Sequence, residues 1–322
     1  MSHSDSLTGA GGRPNGQTGG PPHRLGADTR LRRKLRHRNL QAYLLILPAV
    51  TVIGLLVFYP LVLSLWTSLH VDNPLDRSHR FIGAANYIAV LGDPGFVRAA
   101  VNTLGYFVVA TIGALLLGGV MAFWLHNVTR FRAAALAIVV LPWAVPGTVT
   151  GALWSLIFNP QTGLLDGTLL GLHLISRPII WMEGTVSGIV VVSITLIWQI
   201  APITAVIILA GLESIPPTLF EQALVDGAAA RVTLWRITLP LLRPALAIGL
   251  LEASVLSIGA FDQIVVLNGY APGTLSVVMN IYLYAFTDFN FGLAIAASVI
   301  VTVGTLLVSV VYLKGLYREV AY

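Results

Sequence analysis

Residues 216–240 read PPTLFEQALVDGAAARVTLWRITLP, a polar stretch that lies between two long apolar runs. The proline pair suits the start of a helix, Ser214 is the predicted N-cap, and Gly227 can adopt the left-handed conformation that ends a helix. The pattern predicts a hairpin of two short helices, the second from Ala228 to about Arg236. Such a hairpin suits either a cleft on another protein or the lipid surface, and the pattern alone leaves both open.

The composition predicts a polytopic membrane protein. Apolar residues make up 56% of the chain and charged residues only 10%, whereas a soluble domain has about 25% charged residues. The chain has no cysteine, which excludes disulfides, thiolate catalysis and Fe–S clusters. The seven histidines are scattered and form no metal-binding spacing. No metal site, cofactor site or catalytic constellation is therefore predicted.

Six apolar segments predict an all-α fold with six transmembrane helices. They lie at about 42–69, 101–125, 133–158, 186–211, 244–267 and 291–313, and Pro142 and Pro146 interrupt the third. The connections 71–100, 159–185 and 268–290 are predicted to be loops. Residues 1–40 predict a disordered basic tail, which leaves 41–322 as the transmembrane domain, with the hairpin at 214–240.

The basic residues predict the orientation of these spans. The tail holds eight of the 19 basic residues. When both termini are placed in the cytoplasm, fifteen basic residues fall inside and four outside, as the positive-inside rule requires. The hairpin is then cytoplasmic. The tail is expected to meet anionic lipid rather than nucleic acid.

The hairpin carries a motif that resembles a known family. Glu221-x-Ala223-x-x-x-Gly227, followed by Ile237-x-Leu239-Pro240, resembles the EAA motif of the permease subunits of ABC importers, although Gln222 replaces the first alanine of the usual Glu-Ala-Ala. The resemblance implies a coupling helix that docks on an ATP-hydrolysing subunit. It assigns the docking to Glu221, Ala223, Asp226, Gly227, Arg236, Leu239 and Pro240.

Motifs outside the hairpin are similar to carbohydrate-class permeases of the maltose type. They are Phe81-Ile82-Gly83, Asn86-Tyr87, Asp93-Pro94, Asn102-Thr103, Leu141-Pro142, Trp154, Asn159-Pro160, Gly163-Leu164-Leu165, Phe261-Asp262, Gly269, Pro272 and Phe291-Gly292. The resemblance implies import of a disaccharide or oligosaccharide by alternating access. The Arg-rich, nearly Lys-free composition is typical of high-GC actinobacteria, and within the family the chain resembles the permeases of mycobacterial trehalose importers. Glycerol-phosphate or another polyol is the alternative cargo.

The chain has no ATP site of the P-loop type, because neither of its lysines, Lys34 and Lys314, follows a glycine. It is therefore predicted to be a transport subunit and not an enzyme. The resemblance implies two ATPase subunits that bind ATP and Mg²⁺, a second homologous permease, and an external sugar-binding protein. An ion-coupled secondary transporter is a rival class, but the two halves show no inverted repeat. A membrane-embedded enzyme is a third class, but the sequence shows no nucleophile–base pair for it.

Polar and aromatic residues within the apolar segments are the candidates for sugar contacts. They are Trp198, Gln199, Ser257, Asp262 and Gln263. For Glu252, the favoured interpretation is a structural hydrogen bond to a neighbouring helix or to the second permease. The resemblance places the family's sugar-contacting positions on Leu196, Gln199, Ile200, Ile203, Ala253, Leu256, Ser257 and Ala260. Only Gln199 and Ser257 among them are polar, so either other positions or the second permease supplies the remaining contacts.

Overall fold

The computed structural model describes residues 45–73 and 78–316. It divides the chain into two units, of which the first ends at Leu61 and the second begins at Val62. Helix α1, Leu45–Thr67, begins in the first unit, where its large apolar side chains are exposed. The basic tail predicted for residues 1–40 lies outside the described residues.

The second unit is built from helices and one antiparallel pair of strands. The strands are β1 (His70–Asn73) and β2 (Ser78–Phe81). The helices are α2 (Ala85–Gly92), α3 (Pro94–Asn127), α4 (Arg132–Ala144), α5 (Gly147–Ile157), α6 (Leu164–Gly171), α7 (Thr185–Glu213), α8 (Pro217–Val225), α9 (Ala230–Leu241), α10 (Arg243–Ile258), α11 (Asp262–Asn268), α12 (Val277–Phe286) and α13 (Phe291–Leu316). The predicted helical membrane fold is confirmed.

The helices α1, α3, α7 and α13 are each long and apolar enough to cross a membrane. Two further spans are bent pairs: α4 with α5, at 91°, and α9 with α10, at 67°. The described residues therefore hold four to six candidate spans, and six only if each bent pair counts as one.

The bend in the third span follows from its two prolines. Pro142 lies inside α4, Val145 is extended, and Pro146 precedes α5. A proline disfavours the helical conformation of the residue before it and has no N–H to donate, so the chain turns at this point. The sequence predicts the interruption, and the structure gives its angle.

The prediction of a continuous fifth span from 244 to 267 is wrong. Helix α10 ends at Ile258, and a separate short helix, α11, begins at Asp262. The carbonyl of Ala260, freed by the break, accepts a hydrogen bond from Ser276 Oγ at 2.9 Å. A side chain elsewhere thus satisfies the backbone group that a continuous helix would have used.

The predicted loops contain regular structure. The first connection holds β1, β2 and α2, and the buried amide of Asn86 donates to Ser68 O and His70 O at 2.9 and 2.8 Å. The second holds α6, and the third holds α12. Helix α3 begins at Pro94 rather than at 101, because Asp93 caps it by accepting hydrogen bonds from two backbone N–H groups.

Helices α3 and α7 form the centre of the second unit. Their contact buries Tyr106, Leu196 and the small residues between them. At Gly118 the helices approach so closely that a Cβ would lie 2.9 Å from the carbonyl oxygen of Ala201. Small residues allow this close approach, and the resulting van der Waals contacts can hold the two helices together in a membrane.

Candidate functional site

The polar hairpin forms as two short helices joined at Gly227. That glycine has a φ of +73°. The N–H of Ala228 donates to Ala223 O at 2.9 Å, and the N–H of Gly227 donates to Leu224 O at 3.1 Å. These two bonds are the Schellman pattern that ends a helix. The predicted turn at Gly227 agrees with this geometry.

The predicted N-cap is wrong, because Ser214 Oγ donates to Gly211 O at 2.7 Å and so belongs to the end of α7. The residue that precedes α8 is Pro216, whose side chain makes no capping bond. The second helix also begins later than predicted, at Ala230, and it continues to Leu241.

One side of the hairpin is fixed to the helix bundle. Ala223 is 6% exposed. Leu219 and Phe220 pack against a core that contains Leu125 of α3 and Leu212 of α7. Full burial of such a side chain stabilises by about 1.5–3 kcal/mol, and partial burial contributes less. The hairpin therefore packs against both central helices.

The other side of the hairpin is exposed and mixed in character. Glu221, Asp226 and Arg236 are exposed. Beside them, Leu224 is 78% and Val225 is 87% exposed. Large apolar side chains rimmed by charges are typical of a surface that binds another protein.

The remaining predicted docking residues lie deeper. Leu239 and Pro240 are half-buried in α9. They follow a π-helical turn, Leu234–Thr238, and the buried Thr238 Oγ1 donates to Thr233 O at 3.3 Å. These residues join the hairpin to α10, whereas Glu221, Asp226, Gly227 and Arg236 lie on the accessible side. An ion pair between Arg132 and Glu213 joins α4 to α7 at this same end of the unit.

The second unit also contains a cavity of about 260 Å³ at the break in the third span. Typical small-molecule sites have about 300–1,000 Å³, so this cavity is slightly smaller. It is lined by residues of α4, α5, α7, α10 and α11, and by residues of the break between α10 and α11. They are Trp143, Gly147, Leu196, Gln199, Ile200, Leu256, Gly259, Ala260, Phe261, Asp262 and Gln263.

Two amides organise the polar part of this cavity. Gln199 Nε2 donates to Val145 O at 2.9 Å, which satisfies the carbonyl freed by the bend between α4 and α5. Gln263 Nε2 donates to Gln199 Oε1. The exposed carboxylate of Asp262 lies next to this pair on α11. The breaks in two spans thus bring amide and carboxylate groups to one cavity, which suits a ligand with several hydroxyl groups.

The structure brings together three of the five predicted sugar contacts: Gln199, Asp262 and Gln263 line the cavity. Ser257 is fully buried, and its Oγ donates to Ala253 O at 2.7 Å. Trp198 packs edge-on against Trp154, with 6.1 Å between the ring centroids. Neither of these two is among the lining residues.

The sequence reasoning missed the aromatic residues of the cavity, Trp143 and Phe261. Each lies beside a break in a span, Trp143 next to Pro142 and Phe261 before Asp262. The motifs Leu141-Pro142 and Phe261-Asp262 were the available signal. By contrast, five of the eight positions implied by the family resemblance do line the cavity: Leu196, Gln199, Ile200, Leu256 and Ala260.

Residues 114–313 match the family described as binding-protein-dependent transport system inner membrane components. The chain belongs to this family, as the hairpin motif predicts. Among its relatives is the trehalose/maltose transport system permease protein MalF of Thermococcus litoralis, which is 33% identical over 91% of this chain and 99% of the relative. The trehalose transport system permease protein SugA of Mycobacterium tuberculosis is 29% identical over 87% of this chain and 90% of the relative.

A solved structure has the same fold. A chain of a bacterial ABC transporter that imports the acidic polysaccharide alginate matches with a TM-score of 0.73, over 88% of this chain and 97% of that one. The two are 22% identical. This likeness supports the overall fold of the chain.

Proposed function

We propose that this chain is a permease subunit of an ATP-driven importer that carries a disaccharide or oligosaccharide across the cytoplasmic membrane. The relatives named for trehalose or maltose transport support sugar as the cargo and make trehalose the first sugar to test. The observation that carries the proposal is the continuity of α7. This helix runs unbroken from Gln199 in the cavity to Glu213 before the hairpin, a rise of about 21 Å.

The continuity of α7 supplies a mechanism for alternating access. The hairpin docks through Glu221, Asp226, Gly227 and Arg236 on an ATPase subunit. Closure of the ATPase subunits on ATP displaces the hairpin, and the core around Leu212 passes that displacement to α3 and α7. The walls of the cavity move with these helices. The energetic requirement is that nucleotide binds the two conformations with different affinity.

The proposed assembly has four kinds of component. Two ATPase subunits bind ATP and Mg²⁺, a second homologous permease packs beside this chain, and an external protein delivers the sugar. The small size of the cavity favours a shared site, because about 260 Å³ is too little for a typical complete site. The second permease then supplies the remaining wall and the remaining hydrogen bonds.

The proposed orientation places the hairpin and both termini in the cytoplasm, and it can be tested directly because the chain contains no cysteine. A single cysteine is introduced at Gln222 in the hairpin or at Asp288 beyond α12, both of which are exposed. In intact cells, a membrane-impermeant maleimide should label Asp288→Cys and spare Gln222→Cys. The reverse pattern contradicts the orientation.

The cargo is tested with the purified complex and its external binding protein. ATP hydrolysis is measured with trehalose, maltose, sucrose and glycerol-3-phosphate. Stimulation by a disaccharide is the expected result. Stimulation by glycerol-3-phosphate alone would replace the sugar assignment. Stimulation by none of the four compounds would contradict the proposed cargo class.

A further inference from the structure

The cavity is acidic. Of the described residues that line it, Asp262 alone carries a charge, and its side chain is exposed toward the open space. The other polar side chains in the lining are the amides of Gln199 and Gln263. An amide both donates and accepts hydrogen bonds with hydroxyl groups. A carboxylate only accepts hydrogen bonds, and it repels anions.

A second carboxylate lies further along the same face. Glu252 precedes the lining residue Leu256 on α10 by four positions, so the two residues share one side of the helix. Four residues correspond to a rise of about 6 Å toward the hairpin end. Thr204 of α7, which follows the lining residue Ile200 by four positions, donates its Oγ1 hydrogen to Glu252 Oε2 at 3.3 Å.

This face of α10 is open within the single chain. Ile248, Val255 and Leu256 are 50%, 44% and 42% exposed, and Glu252 is half-buried among them. The exposed stripe thus runs continuously from Glu252 to the cavity.

No positive charge on these helices offsets the two carboxylates. The sequence has no arginine or lysine between Arg177 and Arg231, or between Arg243 and Lys314. Helices α7, α10 and α11 therefore contribute no basic side chain at the depth of the cavity. Arg132, at the first residue of α4, forms an ion pair with Glu213.

We propose that Asp262 and Glu252 form a charge filter that makes this permease reject anionic sugars and admit uncharged ones. The inference rests on the proposed function, since it concerns the sugar that enters the same cavity. It does not follow from the fold, because a chain of this architecture belongs to an importer of an acidic polysaccharide. It assigns specificity to two residues, of which Glu252 lies outside the positions implied by the family resemblance.

The expected discrimination follows from Coulomb's law. At an effective dielectric constant of about 20, a single negative charge about 6 Å from the Asp262 carboxylate would bind about 100-fold more weakly. Glu252 is half-buried and lies outside the lining residues, so its effect is expected to be smaller. Because a phosphate monoester carries more than one negative charge, trehalose should bind at least about 100-fold more tightly than its 6-phosphate ester at low ionic strength. Added salt should reduce this ratio.

The test uses the assembled importer without its external binding protein, so that the selectivity of that protein does not enter. Labelled trehalose is bound at equilibrium and displaced by unlabelled trehalose or trehalose 6-phosphate. Asp262→Asn should lower the affinity ratio by about 100-fold or more, and Glu252→Gln should lower it by a smaller factor. The double variant should bind the two sugars about equally. Asp288→Asn, which removes an exposed carboxylate outside the cavity, is the matched control and should leave the ratio unchanged.

The outcomes separate the two proposals. If wild type binds trehalose and its phosphate ester equally, or if Asp262→Asn leaves the ratio unchanged, the charge filter is wrong while sugar transport stands. If Glu252→Gln alone leaves the ratio unchanged, the inner carboxylate has no part in the filter. If neither trehalose, maltose nor sucrose binds and none stimulates ATP hydrolysis, the proposed function itself fails.

Discussion

Substitution of Gly227 should disconnect ATP hydrolysis from the permease without damaging the helix bundle. Gly227 has a φ of +73°, and apart from the glycine itself and its two chain neighbours no atom lies within 4 Å of the position that a Cβ would occupy. A Cβ there meets no neighbour. The main cost of a side chain is therefore the left-handed backbone conformation, which is about 1–2 kcal/mol for most residues.

This geometry predicts an order of effects that differs from the order of side-chain size. Asparagine tolerates the left-handed region, so Gly227→Asn should be mild. Gly227→Ala should reduce the population of the native turn by about 5- to 30-fold relative to the alternatives, which follows from about 1–2 kcal/mol. Gly227→Val should be the most severe, because a β-branched residue at positive φ is a genuine outlier.

The measurement is sugar-stimulated ATP hydrolysis by the purified complex, together with the amount of ATPase subunit that copurifies with the permease. Stimulation should fall in the order Gly, Asn, Ala, Val, while the expression of the permease stays constant. An order that follows size, with alanine milder than asparagine, would refute the conformational argument. Normal coupling in Gly227→Val would refute the docking role of the hairpin.

Three further predictions concern the hairpin surface, the helix contact and the far end of α3. Glu221→Lys should prevent copurification of the ATPase subunit with little effect on permease stability, because Glu221 is exposed. Gly118→Ala should destabilise the permease by about 1–3 kcal/mol, since the added methyl would lie 2.9 Å from a carbonyl oxygen of α7. Gly119→Ala, with open space around it, is the matched control for a thermal unfolding measurement in detergent. The Tyr284 hydroxyl, which donates a hydrogen bond to the carboxylate of Asp93, lowers the pKa of that carboxyl group. This bond stabilises the folded protein above the ordinary aspartate pKa of about 4, and the stabilisation is lost as the pH falls through the lowered pKa. Tyr284→Phe should therefore lower the free energy of unfolding by about 1 kcal/mol at pH 7, a value discounted for partial exposure. The variant should also lose less stability than the wild type when the pH falls below about 4.

Each of these predictions has a result that would contradict it. Copurification of the ATPase subunit with the Glu221→Lys permease would remove Glu221 from the docking surface. Equal unfolding temperatures for the Gly118 and Gly119 variants would mean that α3 and α7 are not held at this separation. An unchanged acid unfolding profile in Tyr284→Phe would show that the hydroxyl does not act on Asp93.

The motif-bearing hairpin and most of the spans could be predicted from the sequence, because local features determine them. Apolar runs of sufficient length predict helices that cross the membrane, and Pro142 with Pro146 predicts the interruption of one of them. Glycine adopts the positive φ of the hairpin turn at position 227 without backbone strain. The start of α3 was also available locally, since Asp93-Pro94 is a cap followed by a proline at the first helical position.

The cavity could be predicted only in part, because helices distant in sequence form its walls. The apolar run from 244 to 267 reads as one helix in the sequence, whereas the chain breaks at Gly259 to Phe261 and the carbonyl of Ala260 bonds with Ser276, sixteen residues further along. Ser257 reads as a polar group in a span, but it is buried and its hydroxyl bonds with Ala253 O in its own helix.

By itself, the sequence determined the class of protein, the number of apolar segments and the hairpin with its glycine turn. These follow from composition, length and backbone conformation, which are properties of neighbouring residues. The tertiary structure decided which polar groups share a cavity and how the hairpin connects to it. Gln199 meets Val145 O across 54 residues of sequence, and α7 carries that contact to the hairpin in one unbroken helix. Such contacts arise from the packing of whole helices, which no local pattern records.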